Sequence, residues 1–311
     1  MFKGYRLAVV VPAYNEAQRI ERVLENMPQI VDAVIVVDDF STDQTADRAA
    51  AVKDSRVRVI RHKVNQGVGG AMATGLSGAL EIGADLIVKM DGDGQMNPTR
   101  LESLLQPLVD EGYGYAKGNR FLHSNELMWM PRHRLFGNFI LTFLTKLSSG
   151  YWHIFDPQNG YIAIRADTLK ALNLHGLSRG YFFENDMLVR LNVCNVRIKD
   201  VPMPAIYNGN HSSMSISRVL VAFPFYLFQR FWKRIYEKYV LRDFSAIAAF
   251  YISGFLLLAW GTIFGGITWS ISIIHNTDAS TGTVMLSVLP FLMGFQLVLQ
   301  AITLEMHSNG K

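Results

Sequence analysis

At 311 residues, half of them apolar, the chain can hold one large domain or two smaller ones, and its formal net charge of +4 does not mark a nucleic-acid binder. A single cysteine, Cys194, excludes an intramolecular disulfide framework and fits a reducing compartment. The apolar excess gathers after Phe244, so the composition predicts a head outside the bilayer and a membrane tail.

Leu7 to Val11 is too short an apolar core for a signal peptide and runs into Pro12, which predicts that the head stays on the cytoplasmic side. Arg6 to Pro12 reads instead as a strand buried on both faces. A helix is expected from Ala17 to Met27, then a second buried strand from Ala33 to Val37 that ends at Asp38-Asp39. Ser41 to Asp43 supplies natural N-cap residues for the next helix. Val57 to Arg61 predicts a third strand, followed by Asn65-Gln66-Gly67-Val68-Gly69-Gly70 and a small-residue helix from Ala71 to about Leu80. Asp85 to Met90 is the fourth strand, Pro98 to Val109 a helix, and Tyr115 to Asn119 the fifth strand.

Strands alternating with helices predict an α/β, Rossmann-like fold with a mostly parallel sheet covered on both sides. Ligands in such sheets bind beyond the carboxyl ends of the strands. Tyr14 to Glu16, Asp38-Asp39, His62 to Gly70 and Asp91 to Gln95 all fall at such ends, which argues for one nucleotide-sized site. Within it, Asp91-Gly92-Asp93-Gly94-Gln95 presents two carboxylates one residue apart, a pattern suited to a divalent cation and to the phosphates it neutralises. The plainer reading is a solvated Asp/Gly turn. Gly67-Val68-Gly69-Gly70 opens like a dinucleotide fingerprint, but Met72 occupies the last small position and the loop follows the third strand, not the first. A Walker loop is absent, so a dehydrogenase or a P-loop enzyme is disfavoured.

Beyond Arg120 the pattern becomes irregular. Leu122 to His133 carries Met128-Trp129-Met130 and then Arg132-His133-Arg134, which reads either as a packed surface loop or as a lid that meets lipid and holds phosphates. An apolar helix is expected from Leu135 to Leu147. Asp156-Pro157-Gln158-Asn159-Gly160 precedes a strand-like Tyr161 to Arg165, and Glu184 and Asp186 open an amphipathic helix.

From Ser217 to Arg242 the cations Arg230, Lys233, Arg234 and Lys238 recur on one helical face, opposite Phe228, Phe231, Trp232, Ile235 and Tyr239. Such a helix lies in the headgroup region with its cations toward anionic lipid, or docks on the head. Phe244 to Thr277 carries no charge and exceeds the roughly 20 residues that cross a bilayer. A second span runs from about Thr283 to Leu304, where Pro290 predicts a kink. Gln296 and Gln300, one turn apart, are expected to face a neighbouring helix, and Gly261 to Gly265 gives a small-xxx-small pair for helix association and a homo-oligomer. Basic residues crowd before the first span, which places the head and the C-terminus in the cytoplasm, at the cell (inner) membrane. The expected organisation is a catalytic head over 1–212, interfacial helices over 213–243 and two transmembrane helices over 244–311.

Val11-Pro12-Ala13-Tyr14-Asn15-Glu16, Val37-Asp38-Asp39-Phe40-Ser41-Thr42-Asp43, Asn65-Gln66-Gly67 and Met90-Asp91-Gly92-Asp93-Gly94-Gln95 together resemble glycosyltransferase family 2, whose fold is called GT-A. The resemblance covers roughly Tyr5 to His211. With two C-terminal spans, the chain looks like the polyprenyl-phosphate glycosyltransferases within that family. The resemblance implies that Pro12, Tyr14, Glu16 and Gly67 line the nucleotide and that Asp39 accepts a hydrogen bond from its base. It also implies that Asp91 sits by the ribose and diphosphate, and that Asp91, Asp93 and Gln95 serve Mg²⁺ or Mn²⁺. Arg120, Arg132 and Arg134 would hold the acceptor phosphate or the leaving group. Asp156 is the first candidate for a carboxylate near the acceptor, with Glu184 and Asp186 next. The implied reaction is inverting transfer from a nucleotide diphosphate sugar to a polyprenyl phosphate. Gly94 departs from the family, which commonly has Leu there, and the change is expected to be tolerated. A processive polysaccharide synthase is disfavoured, because Gln229-Arg230-Phe231-Trp232 does not fit the order its motif needs. A binding module without catalysis is disfavoured by the intact acidic motif.

Overall fold

In the computed structural model, which describes residues 1–120, 132–204, 216–242 and 244–308, the unbroken apolar runs near the N-terminus form the centre of a sheet. β1 (Leu7–Ala13), β2 (Ala33–Asp38) and β4 (Leu86–Lys89) are buried along their whole length, while β3 (Val57–Arg61) is a half-exposed edge. β5 (Tyr115–Asn119), β6 (Ile162–Arg165) and β7 (Ile198–Pro202) complete a seven-stranded sheet in the order β3-β2-β1-β4-β6-β5-β7. β6 runs antiparallel to both β4 and β5, and the other pairings are parallel. This is the mostly parallel GT-A-like sheet that the sequence predicts.

The runs are unbroken because alternate side chains fill two different cores. Val10, Ile35 and Ile87 pack with α3 (Val68–Glu81) and α7 (Phe183–Val193). Val9, Val34 and Val88 pack with α1 (Ile20–Glu25) and α4 (Leu101–Asp110) on the opposite face. Each large side chain so buried contributes about 1.5–3 kcal/mol. Sequence order changes direction around β1, which lies between β2 and β4, so a crevice opens at the carboxyl ends there.

Two helices start later than their patterns predict. α1 begins at Ile20 because the amides of Asn15, Glu16 and Ala17 are already bound to the side chains of Ser41, Thr45 and Asp43, just before and at the start of α2 (Thr45–Ala51). The 98–109 helix opens as a 3₁₀ turn, Pro98–Arg100, capped by the Asn97 side chain. α5 (Arg132–Ser149), α6 (Ala166–Lys170) and α8 (Ile216–Arg234) complete the helices up to residue 234.

The chain divides into two compact units, Met1–Phe231 and Trp232–Lys311. The second contains a π-helix, Ile235–Leu241, and two helices long and apolar enough to cross a membrane, α9 (Ala246–His275) and α10 (Thr281–Ser308, with Pro290 inside it). α9 and α10 form an antiparallel hairpin. A Cβ on Gly261 would lie 2.7 Å from the Ser287 carbonyl oxygen, and one on Gly254 would lie 2.9 Å from Val298 Cγ2. Small residues are what allow this approach.

Here the helix association expected of the small residues is met within the chain. Gly261 and Gly265 pack against α10 of the same chain, whereas Gln296 and Gln300 are exposed on the other side of α10. The face toward α9 is supplied by Gly294, Val298 and Ala301, whose size suits close backbone contact better than a long amide does. The polar stripe of α8 is also not uniformly solvated. Arg230 is paired with Asp186 at 2.8 Å, and Arg234 is fully buried against Glu305. The Glu305 carboxylate also accepts hydrogen bonds from the hydroxyls of Tyr239, at 2.8 Å, and Tyr251, at 3.3 Å. Lys238 is buried as well.

Candidate active site

The crevice is a cavity of about 560 Å³. Pro12, Tyr14, Glu16, Asp39, Gly67, Asp91, Asp93, Gln95 and Arg120 all line it, as does Glu184. The positions singled out in the sequence at four strand ends therefore meet in one place.

Its first wall is the turn after β1. Asn15 adopts a left-handed φ of 57°, and its side chain accepts from the Thr42 amide at 2.9 Å, which ties the turn to the segment after β2. Glu16 is paired with Arg19 at 2.9 Å. Asp39, one residue past β2, is 3% exposed and heavily bonded. Its Oδ1 accepts from the Gln66 amide at 2.8 Å and lies 2.7 Å from His62 Nδ1, and its Oδ2 accepts from the Gly67 amide at 2.7 Å. Phe40, which follows, is held at φ 63°, a left-handed conformation uncommon for an aromatic residue.

The glycines opening α3 serve the protein and not a phosphate. The amides of Gly69 and Gly70 donate to the Arg179 carbonyl at 2.7 and 3.2 Å. With the Gln66 and Gly67 amides spent on Asp39, the helix end that resembles a phosphate cradle is already satisfied from within.

β4 delivers Asp91 to the cavity floor. Asp91 Oδ1 lies 2.9 Å from the Lys89 ammonium, which also reaches Glu184 Oε1 at 3.1 Å. Burial alone would push the Lys89 ammonium down, but the Asp91 and Glu184 carboxylates outweigh it and hold it above the usual lysine range. The fit depends on Gly160, where a Cβ would come within 2.3 Å of Lys89 Nζ and 3.0 Å of Asp91 Oδ2. Asp93 Oδ1 accepts from the Gln95 amide at 3.0 Å across Gly94, whose φ of 71° is left-handed backbone that glycine adopts without strain. Burial, with the Asp91 and Glu16 carboxylates adding to it, raises the Asp93 carboxyl above the usual range. Among the described residues no cluster of three or more His, Cys, Asp or Glu could hold a metal unaided. The oxygen donors Asp91, Asp93 and Gln95 do suit a hard cation that takes its remaining ligands from water and substrate phosphates.

The remaining candidates separate. Arg120 faces the cavity while its guanidinium donates in bidentate fashion to Asp156, from Nε at 2.7 Å and Nη2 at 3.0 Å. Asp156 is 1% exposed and is not part of the lining, so it anchors Arg120 from behind. Asp186 also points away from the cavity, accepting from the Ser178 amide at 2.9 Å and from Arg190 Nε at 3.2 Å. The 121–131 stretch, with most of the expected lid, lies outside the described residues, and Arg132 and Arg134 are described only as backbone in the first turn of α5. Lys89 and the Gly160 approach were not singled out from the sequence. The signal available for Lys89 was a lone charge inside the apolar run Leu86-Ile87-Val88-Lys89-Met90.

Comparison with known proteins agrees with this geometry. Residues 8–172 match the profile of glycosyl transferase family 2. The chain is 31% identical, over 69% of its length and 91% of the relative, to a UDP-N-acetylglucosamine–dolichyl-phosphate N-acetylglucosaminyltransferase of Methanococcus voltae. It is 32% identical, over 64% of its length and 82% of the relative, to an undecaprenyl-phosphate mannosyltransferase of Micrococcus luteus. The fold is shared with glucosyl-3-phosphoglycerate synthase of Mycobacterium tuberculosis, crystallised with UDP, at a TM-score of 0.55 and 24% identity over 74% of this chain and 80% of that one. With its motifs gathered in one crevice at the reversal of strand order, the chain belongs to glycosyl transferase family 2 and is a glycosyltransferase.

Proposed function

We propose that the chain transfers a sugar, with inversion, from a nucleotide diphosphate sugar to a polyprenyl monophosphate at the cytoplasmic face of a membrane. One observation carries the choice of acceptor: each carboxylate lining the cavity already has a partner. Glu16 is held by Arg19, Asp39 by His62 and two amides, Asp91 and Glu184 by Lys89, and Asp93 by the Gln95 amide. A sugar hydroxyl would need one of them as a general base. In this reading Asp39 takes the nucleobase, Asp91 and Asp93 the metal, and Glu16 and Glu184 are neutralised by Arg19 and Lys89. A phosphate monoester, with a second pKa of about 6, is already ionised at neutral pH and needs none. The names of the two relatives above, both transferases to polyprenyl phosphates, support the same acceptor class.

In this reading a phosphate oxygen of the lipid attacks the anomeric carbon, the bond to the donor diphosphate breaks, and the nucleoside diphosphate departs. Asp39 takes the base, and Asp91 the ribose and diphosphate end. Arg120, fixed in orientation by Asp156, offers its guanidinium to phosphate oxygens. Asp91, Asp93 and Gln95 would hold Mg²⁺ or Mn²⁺, which supplies Lewis-acid stabilisation of the leaving diphosphate. Glucosyl-3-phosphoglycerate synthase has been crystallised with Mn²⁺ and UDP-glucose, and the hard donors here suit that class of ion. Exposed Phe139, Phe143, Phe225 and Phe228 in the first unit suit a lipid surface, and α9 and α10 suit spans whose connecting turn lies outside the cytoplasm. Self-association is assigned to the α10 face bearing Gln296 and Gln300.

The test supplies the purified chain with Mg²⁺, undecaprenyl or dolichyl phosphate, and a panel of labelled UDP- and GDP-sugars. A lipid-linked product that disappears with EDTA is expected from at least one donor. Transfer to a free hydroxyl acceptor, with no lipid-linked product from any donor, would sink the proposal.

A further inference from the structure

The base end of the cavity is organised by a residue that does not line it. His62 follows β3, is 8% exposed, and its amide is bonded to the Asp38 carbonyl at 2.9 Å. Its ring bridges two elements: Nδ1 lies 2.7 Å from Asp39 Oδ1, and Nε2 lies 2.9 Å from the Thr74 hydroxyl on α3. An ionised carboxylate only accepts, so Nδ1 is the protonated nitrogen and donates to Asp39.

That contact differs in kind from the other two on Asp39. The Gln66 and Gly67 amides belong to a connecting loop, whereas His62 is pinned to the sheet by its backbone and to α3 by its ring. A carboxylate has about four lone-pair directions, and three are taken here. The one left, on Oδ2, is available to an N–H on the edge of a nucleobase. Rotation of the carboxylate would move that lone pair away, and the charged hydrogen bond to His62 opposes the rotation.

We infer that His62 is a positioning residue for donor recognition, locking the Asp39 carboxylate in the rotamer that reads the base. The inference rests on the proposal that Asp39 contacts the base, and the experiment separates the two. Purified full-length variants are titrated with UDP and with GDP, each with Mg²⁺, and with Mg²⁺–pyrophosphate as a probe lacking a base. In His62→Asn the amide nitrogen takes the place of Nδ1; in His62→Gln it takes the place of Nε2. His62→Gln is expected to weaken the preferred nucleotide about tenfold or more, the range for losing a bond to a charged group, while His62→Asn stays within about threefold of the parent. Pyrophosphate binding should be unchanged in both, and the loss in turnover should fall on the donor KM with kcat preserved.

Equal losses in the Asn and Gln variants, or parallel losses for pyrophosphate, would reduce His62 to a packing role and overturn the inference. Asp39→Asn is the control. If it leaves nucleotide binding intact, the base reading of the cavity fails; if it weakens binding while both His62 variants match the parent, only the role of His62 fails. Should the His62 variants not fold, Thr74→Val releases the ring from α3 and is expected to weaken the nucleotide but not pyrophosphate. No effect of Thr74→Val on either ligand would then count against the lock.

Discussion

Lys89 is a cation fixed between two cavity carboxylates, and its removal would leave the buried Glu184 beside the partly exposed Asp91 without compensation. Breaking a buried pair from one side costs about 3–5 kcal/mol. Lys89→Met should therefore lower unfolding stability by about that amount, read by chemical denaturation. Gly160→Ala should reproduce part of the loss, because its Cβ would meet the ammonium at 2.3 Å. A stability equal to the parent for both variants would refute this account. A second lysine, Lys117, is fully buried and donates to the Asn159 carbonyl. Burial pushes it down to about 8, against about 10.4 in an unfolded chain. The charged form is thus penalised on folding below about pH 8, and the penalty is lifted as pH rises toward about 10. Lys238, lowered to about 8 by burial and by Arg234, acts in the same direction. Unfolding stability in detergent should rise between about pH 8 and pH 10, and Lys117→Met should flatten much of that slope. At this scale the sequence exposed Asp39, Asp91 and Asp93, because carboxylates at strand ends form a short-range pattern. It did not expose the partners of those carboxylates. Lys89 meets Glu184 across 95 positions and Arg120 meets Asp156 across 36, and no local spacing carries such distances.

Among the elements, the central strands and both apolar helices were legible because their hydrophobic patterns are continuous and long. The start of α1 was not, since Ser41, Asp43 and Thr45 hold its expected first residues in a turn. β6 was visible as a strand, but its direction depends on neighbours that follow other parts of the chain. The stripe of α8 left two readings open, lipid headgroups or a docked helix, for a different reason. Helical spacing shows which residues share a face, not what that face meets, and a π-helix shifts the phase from Ile235 onward. The Arg234–Glu305 pair gives this a measurable form. Glu305→Ala leaves a buried guanidinium and should cost about 3–5 kcal/mol in a thermal or chemical melt, whereas Arg234→Met with Glu305→Leu should cost much less than the two single changes added together. Additive losses would show that the groups do not interact.

For the molecule as a whole, the small residues and the glutamines of the α9–α10 hairpin fall on different faces. The glycines close the hairpin within one chain, and the glutamine pair is turned outward near the middle of α10. A primary amide both donates and accepts, so in the proposed self-association identical faces of two copies would satisfy each other across a twofold axis. In a Cys194→Ser background, Gln300→Cys is expected to form an intermolecular disulfide in membranes, and Val298→Cys, which faces α9, is not. Cross-linking through Val298 in preference to Gln300 would reverse the assignment.

The Arg234–Glu305 contact also constrains the order of assembly. The two residues are 71 positions apart, so Arg234 is synthesised well before its carboxylate exists. Until α10 lies beside α9, the guanidinium lacks that carboxylate, and the π-helix that follows it lacks the Tyr239–Glu305 hydrogen bond. On the proposed membrane reading, insertion of the second span is thus the step expected to let the preceding segment leave water. A chain interrupted between the spans would keep that segment solvated and open to proteases, and a transient of this kind is detectable by protease protection during synthesis on membranes.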